Sequence, residues 1–190
     1  MGFAISLTSV SEQDRPVFLT NAGLSETSAP DPENETRLSG ALWQGQYLTW
    51  RNERMTKGLA SPEYGLISKG TSVLTLGVDE TAMGAVVALY EDGKEVWGAS
   101  GLEDQYVADG PVPLEEDELK ELCYAQTVAV FGQEQAKADA EEDADFTDPF
   151  SMVVELFVAQ TGFRYDGHDV ENFMELAGEM PFPKPWWKFW

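Results

Sequence analysis

The sequence is short of the residues from which most catalytic and redox centres are built. It holds one cysteine, Cys123, and one histidine, His168. A lone cysteine cannot close an internal disulfide, and its place in a helix-spaced apolar run marks it as a small buried side chain rather than a nucleophile. A Ser-His-Asp or Cys-His arrangement would have to pass through His168, and no spacing brings a serine or Cys123 to it. There is no GxGxxG, no phosphate loop ending in GK[ST] and no CxxC, which removes the usual grounds for nucleotide, thiol-redox and zinc-ribbon chemistry. Asp166, His168 and Asp169 lie close together, but a turn at Gly167 and a helix cap at Asp169 account for them, so no metal and no cofactor is expected. No apolar run approaches the roughly 20 residues of a membrane span, and the start, MGFAISLTSV, has no basic region ahead of a cleavable apolar one. The expectation is a cytosolic protein.

Positive charge is also scarce. Twelve lysines and arginines stand against thirty-four acids, a net charge of -22. Such a field repels nucleic acid and anionic membranes and steers basic proteins toward the surface at salt-sensitive rates. Nucleic acid and membrane are therefore set aside as partners, and a basic protein is expected. A strongly acidic proteome, as in a halophile, would give the same surplus for solubility alone.

What the chain does have is material for a core. With 43% hydrophobic residues over 190 positions, a single domain can bury roughly 70% of its unfolded surface without a metal or disulfide. The stretch from Thr71 to Gly101 is the longest weakly charged, β-rich part. Ala85 to Tyr90 is apolar, Asp92-Gly93 follows, and Lys94 to Trp97 resumes the strand pattern. Asp-Gly supplies the two positive-φ positions of a type I′ turn. That turn sets Glu91 opposite Lys94, Tyr90 opposite Glu95, Leu89 opposite Val96 and Ala88 opposite Trp97. Val73 to Val78 supplies a neighbouring strand.

Phe3, Ile5 and Leu7 alternate as in a half-buried strand. Ser11 or Asp14 caps a short helix with Pro16 in its first turn, Val17, Phe18 and Leu19 inward, and Gly23 as its stop. Residues 25–37 read as a mobile loop, and Leu38 to Trp43 with Gln46 to Trp50 form a second hairpin around Gln44-Gly45. Arg51, Arg54 and Lys57 make the only basic cluster, read as counter-ions for the acidic stretch further on. Pro113 and the acids Glu115 to Glu118 mark a helix start. Leu119, Leu122, Cys123 and Val130 keep to one of its faces. Asp148-Pro149 opens a second helix with an apolar stripe of Phe150, Val153, Val154, Phe157 and Val158, stopped by Gly162. A third, shorter helix is read from Asp169 to Ala177. These elements predict an α+β domain over residues 1–190, with an antiparallel sheet of about five or six strands packed against two or three helices.

Two features remain unabsorbed by the fold. One is the acidic stretch from Glu115 to Asp148, with an acidic spacer at 134–148, opposed only by Lys120 and Lys137. Its candidate partner-binding residues are Glu141, Glu142, Asp143, Asp145 and Asp148, followed by Glu115 and Glu116. The other is the aromatic tail, residues 181–190, with Trp186, Trp187, Phe189 and Trp190 beside Lys184 and Lys188. It suits either a lid over the sheet or a docking element.

The strand GKEVW, the acidic spacer and DPFSMVVELFVAQTGFRYDGHD together resemble small bacterial proteins of the toxin-immunity type. The resemblance covers about half the chain, and it implies an intracellular partner-binding role: neutralising a basic toxin domain by electrostatic and shape complementarity. A nucleic-acid mimic that blocks a DNA-binding enzyme is the alternative, requiring carboxylates in two rows at phosphate-like intervals. An enzyme using paired carboxylates with His168 is a further one, requiring a concave pocket around them. No catalytic residue is assigned.

Overall fold

The computed structural model describes residues 4–52, 63–102, 105–132, 148–167 and 172–181. Among the described residues nine strands form one open antiparallel sheet in the order β2-β9-β3-β4-β1-β5-β6-β7-β8. The strands are β1 (Ala4–Ser11), β2 (Leu24–Pro30), β3 (Leu38–Trp43), β4 (Gln46–Asn52), β5 (Ser72–Asp79), β6 (Gly84–Glu91), β7 (Lys94–Leu102), β8 (Gln105–Asp109) and β9 (Met174–Gly178). The described helices are α1 (Arg15–Ala22), the single turn α2 (Tyr64–Ile67), α3 (Glu116–Phe131) and α4 (Pro149–Thr161). The class is α+β as expected, with more strands than five or six.

Alternation along the strands gives the sheet two apolar faces. Ile5 and Leu7 of β1, Leu48 and Trp50 of β4, Leu74 and Leu76 of β5, and Trp97 and Ala99 of β7 point to one side, where α4 lies along β5 to β8, α3 packs on α4, and Phe173 meets Trp50. Val10, Tyr47 and Val73 point to the other, beneath Phe18 of α1 and Ile67 of α2. Helix α4 is buried nearly all round: Phe150, Met152, Val153, Val154, Leu156 and Phe157 are all inside. At ~1.5–3 kcal/mol per large apolar side chain, its docking is among the larger single contributions to the fold. It starts where the sequence places it, with the Asp148 carboxylate accepting from the Phe150 N–H at 3.1 Å and Pro149 in the first turn. It stops at Gly162, which takes φ +66°. Its first turn lies so close to β7 that a Cβ at Gly101 would collide with the Pro149 carbonyl.

The central hairpin turns as its sequence requires, with Asp92 at φ 45° and Gly93 at 86°. Glu91 faces Lys94 and Tyr90 faces Glu95. The register then slips by one residue: Leu89 faces Trp97 and Ala88 faces Gly98, in place of the expected Val96 and Trp97. The extra residue is a β-bulge. Without it Trp97 would share the face of Ala88; with it Trp97 joins Leu89 on the α4 side, where it is buried. Burying the indole outweighs the unbroken ladder. The second hairpin turns in the same way at Gln44 (φ 48°) and Gly45 (φ 80°).

Two other expectations are corrected. The described end of the predicted third helix, Met174–Gly178, is strand β9, inserted between β2 and β3. Phe173, Met174 and Leu176 fit helical spacing over so short a span, but a vacant place in the sheet decides the matter. Within 25–37, the run up to Pro30 is β2, paired with β9. The buried Asp31 then accepts from the Glu35 N–H and from Thr36 Oγ1, which closes the following turn. Helix α3 begins at Glu116 with Glu115 as its cap, three residues later than a first helical position at Pro113. Leu119 and Cys123 face the core, whereas Leu122 and Val130 are exposed. In α1, Phe18 is buried and Val17 exposed.

Candidate functional site

The described part of the acidic stretch is α3 with its cap, followed by Asp148, and the acids of the helix lie in its first half. Glu115, Glu116, Asp117, Glu118 and Glu121 crowd into two turns and are all exposed. Several already have local work. Glu115 and Glu118 form a reciprocal capping box, in which the Glu118 carboxylate accepts from the Glu115 N–H at 2.9 Å. Glu116 pairs with Lys120 at 2.9 Å, an exposed i,i+4 contact that stabilises by only a few tenths of a kcal/mol. Asp117 and Glu121 have no ion-pair partner among the described residues. The acids suit the positive end of the helix dipole, which offsets part of their mutual repulsion.

This helix start lies over β8. Tyr106 is half-buried there, and its phenol is pushed above the ordinary range, first by burial and then by the charges of Glu116 and Glu115. Val112 and Leu114, in the connection from β8, pack against the core and fix α3 in place.

Asp148 is exposed, but both of its oxygens serve α4: one accepts from the Phe150 N–H and the other from Ser151 Oγ at 3.1 Å. Of the residues singled out for partner binding, Glu115, Glu116 and Asp148 therefore have structural roles as well. Glu141, Glu142, Asp143 and Asp145 lie outside the described residues, as do His168, Asp169 and the tail from Phe182 onward. Helices α3 and α4, the described elements on either side of residues 133–147, pack directly on each other.

Between α3 and α4 lies a buried ion pair. Glu155 of α4 and Arg164, just beyond it, are hydrogen-bonded, with side chains only 8% and 14% exposed. Arg164 also reaches Asp166 at 3.5 Å. The neighbouring Cys123 thiol is pushed up to about 11, mainly by burial, with Arg164 working against the shift and Asp148 with it. Burial and the raised value both leave little thiolate for reaction at neutral pH. Tyr165 donates to Glu80 at 3.1 Å, and burial, then the Glu80 charge, raise its phenol.

Of the basic cluster, only Arg51 is described. It is buried in β4 on the sheet face opposite α3 and α4, with a guanidinium nitrogen 3.5 Å from Ser6 Oγ, and so does not act as counter-ion to the acids of α3. Among the described residues no group of three His, Cys, Asp or Glu side chains is placed to hold a metal. Among them, too, no helix is long and apolar enough to cross a membrane.

Negative charge is not confined to α3. Glu12, Glu33, Glu35, Glu91 and Glu179 are exposed elsewhere on the molecule. The run from Glu115 to Glu121 is still the densest described, with five acids in seven residues. The sequence flagged it by the same crowding.

The fold defines an α+β protein with helices on both faces of an open sheet. Comparison with protein-family models, with curated proteins and with solved structures returned no match.

Proposed function

We propose that this chain is a cytosolic acidic binding protein that neutralises a basic protein partner, in the manner of an immunity protein against an antibacterial toxin. The observation that supports the reading is the excess of twenty-two negative charges carried by a well-packed scaffold that presents five of them along the first turns of α3. Opposite potentials speed encounter, and a few carboxylates buried against arginine or lysine hold the complex. The resemblance of the GKEVW strand and the DPFSMVVELFVAQTGF helix to proteins of the toxin-immunity type points the same way. The reading assigns the protein no catalytic residue.

The test is association with the basic protein encoded beside its gene, followed by stopped-flow fluorescence at low and physiological salt. Reversing Glu141, Glu142 and Asp145 together should slow association at low salt by about tenfold or more, since steering of this kind is worth 10–10³ in rate. Reversing Asp117 and Glu121 should have a smaller effect in the same direction. Unchanged association at low salt for both variants would show that the acidic stretch is not what the partner meets.

A further inference from the structure

At one end of the sheet, on the face that α4 covers, the helix stops short and leaves a cleft of about 230 Å³. Its floor is one row across four strands, Ser9, Leu74, Leu89 and Trp97, set side by side by the ladder. Its rim is oxygen-rich: Asp14, Gln46, Ser72 and, at the end of α4, Gln160. The cleft is below the ~300–1,000 Å³ of a drug-sized site but far above the ~10–15 Å³ that one water requires. That size suits a single side chain.

The polar groups are held in place. Ser9 Oγ donates to Gln46 Oε1, and Gln46 Nε2 donates to the Gln160 carbonyl at 3.2 Å, so the amide oxygen is turned toward the cleft floor. Ser11 Oγ donates to one oxygen of Asp14 at 2.9 Å, and the other oxygen has no protein donor among the described residues. The described lining contains an acid and no lysine or arginine. Arg15, adjacent in sequence, is turned away: its guanidinium lies 4.9 Å from the centre of the Tyr47 ring on the other face and pairs with Glu26. Glu91 and Lys94, beyond Ser72, face each other in the hairpin and add no net charge. The C-terminal end of α4 contributes the negative end of its dipole.

We infer that this cleft receives an arginine side chain from the basic partner. The apolar floor of Leu74, Leu89 and Trp97 takes the aliphatic stem. The planar guanidinium, with five donors and no acceptor, meets the Asp14 carboxylate and the amide and hydroxyl oxygens of the rim. A neutral amide or hydroxyl could donate to the Asp14 oxygen but without the opposite charge that strengthens the bond, and an anionic side chain would set a second negative charge beside it. The inference rests on the acidic-binding-protein reading and supplies its anchor, some distance from the acids of α3 that would steer encounter.

The probe is Nα-acetyl-L-arginine methylamide, titrated into the full chain and followed by ¹H–¹⁵N NMR. Saturable shifts confined to Ser9, Ser11, Ser72, the side-chain amides of Gln46 and Gln160 and the Trp97 indole are expected, with a Kd of order 1 mM. Asp14→Asn should weaken binding about tenfold, as removal of a charge-assisted hydrogen bond does. Ser72→Leu, which fills the cleft and leaves its charge intact, should abolish the shifts. Shifts that fail to saturate, or equal binding by the neutral glutamine analogue, would overturn the cation site. Equal binding by the lysine analogue would overturn the choice of guanidinium. If these results go against the cleft while charge reversal on the acidic stretch still slows association, the anchor falls and the binding-protein reading stands.

Discussion

Replacing Glu155 by Gln tests how α3, α4 and the chain after α4 are held together. The substitution keeps the shape and removes the charge that Arg164 faces inside the protein. For pairs on the surface such a loss is worth about 0–1 kcal/mol, and for buried pairs about 3–5 kcal/mol, because the remaining ion is left uncompensated. The side-chain exposures of 8% and 14% place this pair with the buried ones. Asp166, at 3.5 Å from Arg164 and itself exposed, can take over part of the partnership, so the lower end, about 3 kcal/mol, is expected. Against a total stability of ~5–15 kcal/mol that is a large fraction. With a urea m-value of about 3 kcal/mol/M, the midpoint should fall by about 1 M, read by circular dichroism. The double variant Glu155→Leu with Arg164→Met removes both charges and should recover most of the loss, since a well-packed apolar pair often equals a buried ionic one. A Glu155→Gln midpoint within about 0.2 M of the parent would refute the reasoning and show that water reaches the pair.

Two further outcomes follow from the packing. Gly101→Ala should destabilise by about 1–3 kcal/mol, as overpacking does, because the new methyl meets the backbone of Pro149; a thermal melt unchanged from the parent would mean that α4 can slide along β7. Cys123 should resist alkylation by iodoacetamide at pH 8 in the native state and react on unfolding. Its raised value means the folded state keeps a proton that the unfolded state gives up at about pH 9, so stability should hold to pH 9 and decline toward about 11; rapid native labelling at pH 8 would contradict the burial.

The features legible in the sequence are those decided within a few residues. Asp92-Gly93 and Gln44-Gly45 can each take two positive φ angles, so both hairpins could be read from their turns. Asp148-Pro149 and Gly162 bracket α4 because capping and termination are local chemistry. The bulge at Val96 was not legible, since it depends on which face of the sheet has room for an indole. Strands β2 and β9 escaped for a related reason: LSETSAP reads as loop and MELAG as a helical fragment until each finds the other. The acids of α3 announce themselves by density. The rim of the cleft gives almost no signal, because Asp14, Gln46, Ser72 and Gln160 come from four separate parts of the chain. The one trace is Ser9, where the inward alternation of Ile5 and Leu7 turns polar.

The position of β9 bears on how the chain is made. Strand β2 lies at the rim of the sheet, hydrogen-bonded to β9 alone, and β9 is the last of the described strands in chain order. A nascent chain made only as far as the residues before β9 can close the hairpins of the middle of the sheet, while its second strand waits with both backbone edges open. Synthesis of β9, rather than any step within the sheet's centre, then becomes the event that completes the N-terminal half, and a product clipped before it would expose a strand ready to pair with a neighbour.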